Sequence, residues 1–378
     1  MNHSIENSSN TLQNLLLQVQ DQANRSQDYL APTNQLQLMT GDRGDGTNVS
    51  QIIMEQQGGM PTQILTCNDV AFDQIAQRAN IDVRTARRLQ QNYSVEFDGL
   101  MNAIWQKESA VRMIRTFEGS EPGTGIARAV VSDKFKTFDN THLLNAALPQ
   151  LMESDAQWQV VTGTITERKM YLRLKSSVIT GSGASVGDVM ALGIGFSNSE
   201  TGCGAVNVGQ IFWTLACLNG MQTENRSRSS HVTSARGDGD QWSRLTDEAK
   251  DADNHALSLK VRDLTASYAS RESFDEILER MRTAHDDKIS GSPQSAVEAL
   301  GKVLSLSKKD TGSVLDGLLA TVGQAGYAGE GISRATMVNA VTAVGNQCHA
   351  DDSDDWQRLG GRVLDLPASD WRRVAEAA

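Results

Sequence analysis

Two stretches of alternating apolar and polar residues, Gln157 to Thr164 and Lys169 to Lys175, are joined by the short polar connection Thr166-Glu-Arg-Lys169. A period of two puts Val160, Met170, Leu172 and Leu174 among polar neighbours, the pattern of an antiparallel β-hairpin in a sheet with one covered face. The apolar run Val189 to Phe196 supplies a third strand, and Gly204 to Val208 a fourth. Upstream, a β-branched stretch from Ile126 runs into a polar turn, where Asp139-Asn140-Thr141 offers caps for a helix from His142 to Met152. Ile211 to Leu218 reads as an apolar helix ending at Asn219-Gly220. The succession of strand, helix, hairpin, strand, short strand and buried helix specifies an α+β fold with a mainly antiparallel sheet. A helical C-terminal region follows, with caps and breaks at Ser270, Ser290-Gly-Ser-Pro293 and Gly329-Glu-Gly331. The acidic turn Asp351-Asp-Ser-Asp-Asp355 precedes a short tail.

The first 65 residues are rich in Gln, Asn, Ser and Gly, with Leu12, Leu15, Leu16 and Val19 at helical spacing, so they read as one helix and then a loosely ordered arm. Residues 69–92 form two short helical patterns about Asn80-Ile81-Asp82, with Ile75, Ala76, Ala79, Ile81, Ala86 and Leu89 where a helix-turn-helix keeps its buried positions. Arg84, Arg87 and Arg88 line the second helix, which either contacts DNA or merely packs on its neighbour. Residues 94–115 continue as an amphipathic helix. The expected regions are therefore 1–65, 66–120, 121–240 and 241–378.

No run approaches the roughly 18 apolar residues of a membrane helix, and the polar N-terminus lacks the basic and apolar regions of a secretory signal. The expectation is a cytoplasmic protein with no membrane partner. Cys67, Cys203, Cys217 and Cys348 are scattered without a C-x-x-C pair, against a zinc ribbon, redox pair or disulfide framework. The net charge of −11 counts against nucleic acid, but it is uneven. Between Ile75 and Ser177 there are 14 Lys and Arg against 11 Asp and Glu, a mildly basic block inside an acidic chain.

No Walker A, H-E-x-x-H, G-x-S-x-G or D-x-D-x-D-G pattern occurs. Gly181-Ser-Gly183-x-x-x-Gly187 looks like a nucleotide loop but opens no helix. Three polar clusters stand at the ends of apolar elements: Ser132, Asp133, Asp139 and Asn140; Asn198, Ser199 and Glu200; and Asn219 through Arg226 and Arg228 to His231. Carboxylates with a histidine can act as acid and base or hold a divalent ion, so Asp133, Asp139, His142, Glu200 and His231 are the candidate catalytic set. Capping and turn roles for the same residues are the alternative. No metal site is assigned and no cofactor is required.

The strings ARAVVSDKFKTFDN at Ala127 to Asn140, N-S-E-x-G at Asn198 to Gly202 and C-x-N-G at Cys217 to Gly220 resemble a phage and plasmid family defined by domain of unknown function 932. The resemblance covers roughly residues 70–350, with Phe135 where the family commonly has Tyr and Glu200 where it often has His or Asp. It implies a setting in mobile DNA, with replication or recombination nearby. The element order is also similar to phage single-strand annealing proteins, which assemble as rings or filaments. Three readings follow. The first is a homo-oligomeric protein that binds single-stranded DNA along Arg112, Arg115, Lys134, Lys136, Arg168, Lys169, Arg173 and Lys175. The second is an enzyme, metal-assisted or not, and the third a phage structural or interaction protein.

Overall fold

The computed structural model describes residues 2–55, 62–183, 189–215, 219–229, 245–322 and 331–377. Two sheets organise the chain. The first holds β1 (Ser26–Pro32), β2 (Leu36–Asp42), β3 (Asn48–Met54), β4 (Gln63–Cys67), β5 (Val111–Glu118) and β6 (Thr124–Ser132), in the order β1-β5-β6-β4-β3-β2. Its one parallel pair is β4 with β6. Parallel neighbours need a long crossover, and here α2 (Asp69–Arg78), α3 (Val83–Asn92) and α4 (Ser94–Lys107) provide it. These helices cover the sheet by packing Phe72, Ile75, Ala86, Phe97 and Met101 on Leu38, Ile52, Leu65 and Ile114.

The second sheet is antiparallel throughout: β7 (Trp158–Ile165), β8 (Met170–Ser182), β9 (Val189–Asn198), β10 (Val206–Thr214) and β11 (Asn219–Ser229), ordered β11-β10-β9-β8-β7. The expected hairpin is β7 with β8, Val160 lying opposite Leu174 and Ile165 opposite Met170. Leu172, Leu174, Ile194, Phe196 and Val208 are covered by α1 (Asn2–Arg25), α5 (Asn140–Glu153) and α6 (Asp247–Tyr268). Further along, Met190, Leu192 and Phe212 join the core of the C-terminal helices α7 (Arg271–Asp286), α8 (Pro293–Leu304), α9 (Lys308–Val322), α10 (Arg334–Gly345), α11 (Ala350–Leu364) and α12 (Ala368–Ala375). Ser270 and Ser292 cap α7 and α8 as expected, each hydroxyl accepting a backbone N–H three residues on. Gly193 leaves the room that Trp213 needs to lie across the sheet: a Cβ there would collide with the indole nitrogen.

The α+β class is as expected, but several elements differ. The N-terminal arm contains β1 to β3, in which Leu36, Leu38, Ser50, Ile52 and Met54 are buried in alternation. The helix expected over 94–115 ends at Lys107, and Val111 begins β5. The helix expected over Ile211–Leu218 is the end of strand β10 through Thr214, with residues 216–218 outside the described segments. All nine β10 residues are buried, so both faces are covered and no alternation marks the strand. Asn219-Gly220 opens β11 rather than ending a helix. The boundary at residue 120 falls within the β5–β6 hairpin, and β6 belongs to the first sheet, not to the sheet of β7 to β11. The acidic turn Asp351–Asp355 is the start of α11.

Candidate functional site

Where the sheets meet, two arginines and three carboxylates form one network, with Arg115, Arg128 and Glu200 buried, Asp139 half-buried and Asp28 at its exposed edge. Arg115, on β5, is 1% exposed. Its Nε donates to Asp28 at 3.0 Å, Nη2 to Asp139 at 2.7 Å and Nη1 to the Glu200 carbonyl at 2.9 Å. Arg128, on β6, pairs through Nη1 with the Glu200 carboxylate and through Nη2 with Ser26 Oγ. The other Glu200 oxygen accepts the Asn140 backbone N–H at 2.6 Å, at the start of α5. Asn198, at the end of β9, donates to the Phe138 carbonyl at 2.8 Å and to Asn140 Oδ1 at 3.0 Å. Burial works against the Arg115 charge, but Asp139, Asp28 and Glu200 outweigh it and hold the guanidinium more basic than usual. Burial disfavours the Asp139 charge as well, here by pulling the pKa upward, yet Arg115 holds the carboxyl below its ordinary value. Asp139 N–H also donates to His142 Nδ1 at 3.3 Å, and the imidazole stacks on Phe138.

Arg128, Glu200, Asn140 and Asn198 of this network line the floor of a cleft of about 600 Å³, with Arg115, Asp28 and Asp139 behind them. One wall comes from the first sheet and its helices, through Arg43, Asn48, Asn68, Phe72, Arg87, Gln90 and Gln91; the other is the β7–β8 turn, with Glu167, Arg168 and Lys169. Arg87 is taken up by Asp69 and Asp73 at 2.9 and 2.6 Å, and Arg128 by Glu200. Among the described residues, no carboxylate pairs with Arg43, Arg168 or Lys169, and the wall they line carries Glu167 against them. Burial and the Asp69 charge push the Glu167 carboxyl upward, while the first N–H groups of α2 favour its charged form. The turn is held from several sides. Thr166 Oγ1 accepts the N–H of Arg168 and Lys169 at 3.1 and 3.0 Å, Ser199 Oγ donates to the Arg168 carbonyl at 2.7 Å, and Thr166 meets Asp351 of α11.

Asp139, Asn140, Asn198 and Glu200 thus converge as the sequence implies. Asp133 instead accepts from its neighbour Ser132 at 3.1 Å, and His231 lies outside the described residues. Of the eight expected nucleic-acid cations, Arg115 is consumed in the floor. Arg173, on β8, is 4% exposed and lies beneath α11, its guanidinium 3.4 Å from Asp354 and 3.2 Å from Ser353 Oγ. It is not an exposed strand cation. Strand alternation places it on the outer face correctly, but a helix 180 residues away covers that face. Burial lowers the Arg173 pKa and Asp354 only partly restores it. Lys136 pairs with Asp253 at 2.8 Å. Arg112 and Lys175 are half-buried and Lys134 is exposed, and none of the three lines the cleft. Arg168 and Lys169 do. The expected helix-turn-helix hairpin forms as α2 and α3, with Asn80 in the left-handed region (φ 54°). Its second helix lies against β3, however, Gln90 donating to Ser50 at 2.9 Å and Gln91 to Asn48 at 2.8 Å, so it packs on the sheet.

Asp28, Arg128 and Arg43 do not stand out in the sequence. Arg128 carries a signal, a cation between Ala127 and Ala129 in an otherwise apolar strand. Chemically, Arg115 holds Asp139 as an anion, which leaves it poorly poised to exchange a proton, and both Glu200 oxygens are engaged by Arg128 and the Asn140 N–H. No cluster of three or more metal-ligating side chains occurs among the described residues, and none of their helices is long and apolar enough to cross a membrane. Compared with protein-family models, curated proteins and solved structures, the chain matches none.

Proposed function

We propose that the protein binds single-stranded nucleic acid in the cleft between its two sheets, as a homo-oligomer in the replication or recombination of a phage or plasmid. The observation that carries this reading is the pairing pattern: the deep cations are neutralised, whereas Arg43, Arg168 and Lys169 at the cleft wall have no carboxylate partner among the described residues. Such cations beside the carboxamides of Asn48, Asn68, Gln90 and Gln91 suit a flexible strand that offers phosphates to the cations and base edges to the amides. The same pattern supports binding over catalysis, because the carboxylates an enzyme would use are tied up.

The test is fluorescence anisotropy of a labelled oligothymidine, with light-scattering mass measured alongside. Binding at about 50 mM salt should weaken steeply by about 200 mM, and an Arg168→Ala, Lys169→Ala double variant should flatten the slope by about 0.7 for each phosphate that is no longer neutralised. A rise in mass on adding oligonucleotide is the expected sign of assembly. No binding at the lower salt, or a double variant indistinguishable from the parent, removes the proposal.

A further inference from the structure

We infer, resting on the reading of the cleft as a nucleic-acid site, that its floor is a base pocket selecting guanine or cytosine over adenine and thymine. The shared chemistry is an edge with two adjacent hydrogen-bond acceptors, and the floor supplies two unused donors. Arg128 is 4% exposed, lines the cleft, and has an Nε–H with no partner among the described residues. A buried donor left unmade is costly, so an acceptor from outside is favoured there. The second donor is the Asn140 side-chain NH₂. Because Asn198 Nδ2 donates to the Phe138 carbonyl and to Asn140 at 3.0 Å, the Asn140 oxygen must face Asn198. Its nitrogen is left for the cleft.

The acceptors of the floor are already spent. Both Glu200 oxygens are taken, one by Arg128 and one by the Asn140 backbone. The network carries two guanidinium groups against three carboxylates, so it does not draw a phosphate. A neutral acceptor pair meets its needs. Guanine presents O6 and N7 side by side, and cytosine O2 and N3. Adenine sets an amino donor beside N7 or N1, and thymine sets N3–H between its two carbonyls; either would oppose donor to donor. At about 600 Å³ the cleft lies within the range of roughly 300–1,000 Å³ that encloses small ligands.

The experiment compares labelled ten-residue thymidine strands that carry one central guanine, cytosine, adenine or thymine. The guanine or cytosine strand, or both, should bind about tenfold tighter than the other two, and which one tightens names the edge that is read. Asn140→Asp keeps an oxygen toward Asn198 but replaces the donor, and should erase the preference at unchanged circular dichroism. If that variant does not fold, the comparison among strands with the parent protein still decides. Arg168→Ala with Lys169→Ala should weaken all four strands alike and leave their ratio. Equal affinity for the four strands overturns the base pocket and leaves nucleic-acid binding standing. No binding of any strand at about 50 mM salt overturns both.

Discussion

The molecule buries two arginine networks, and they are built to opposite balances. At the cleft floor Arg115 and Arg128 meet three carboxylates, and Arg115 is held more basic than usual. Under α11, Arg173 and Arg358 share Asp354, and Arg173 is less basic than usual. Tyr171 and Asp351 extend this second network, the phenol donating at 2.7 Å, and Gln222 accepts from Arg358 at 3.2 Å. The first network opens on a cavity and keeps donors in reserve; the second is sealed by a helix. Residue type alone does not separate a site from a fastening. What separates them, among the described residues, is whether a helix closes over the charges.

The largest effect should come from removing the shared carboxylate. Asp354→Ala strands the buried Arg173 guanidinium and leaves Arg358, among the described residues, only the Asp355 carboxylate, at 3.7 Å, and is expected to cost about 3–5 kcal/mol in urea denaturation. A loss under about 1 kcal/mol would show that water already reaches Arg173 and would break the contrast. Glu200→Gln should cost less, about 2–3 kcal/mol, because the carboxamide takes the counter-charge from Arg128 but still offers its guanidinium an oxygen acceptor. An equal or greater loss than for Asp354→Ala would reverse the ranking.

Acid should discriminate more gently. The Asp139 carboxyl is held below its ordinary value in the folded protein, so its contribution is fully present above the unfolded pKa, about 3.9, and drains away as pH falls through the folded one. Asp139→Asn should therefore flatten the loss of stability below about pH 4, by on the order of 1 kcal/mol. An unchanged acid limb in urea denaturation at stepped pH would place the sensitivity elsewhere. The smallest effect on folding belongs to Arg168→Ala and Lys169→Ala, expected within about 0.5 kcal/mol each while oligonucleotide affinity drops. A clear fall in melting temperature would mean that the turn serves the fold rather than a ligand.

Local order is readable where the two faces of an element differ in polarity. The β7–β8 alternation and the start of α5 at Asp139-Asn140 follow from period and capping. The start of β10 reads as a strand, but its second half, from Ile211, reads as a helix because a strand covered on both faces shows only a continuous apolar run, which a helix shows equally well. Strands β2 and β3 do alternate, Leu36 with Leu38 and Ile52 with Met54, but the Gln and Asn between them suggest an unstructured arm. The floor is half legible. Asp139, Asn140, Asn198 and Glu200 sit at element ends, which marks them as polar positions a core does not require. Arg128 shows as a lone cation in an apolar strand, but Asp28 reaches the same place through the pairing of β1 with β5, and pairing between distant strands leaves no local trace.

The fastening of α11 to β8 also sets a clock. Arg173 leaves the ribosome 180 residues before Ser353, and Asp354 follows one later. At about 5–20 residues per second this strand waits on the order of 10–40 s for its counter-ion. The first sheet needs no such wait, since its strands and covering helices are all synthesised by Ser132. During elongation the chain is therefore half assembled, with β8 keeping its guanidinium in water until α11 emerges.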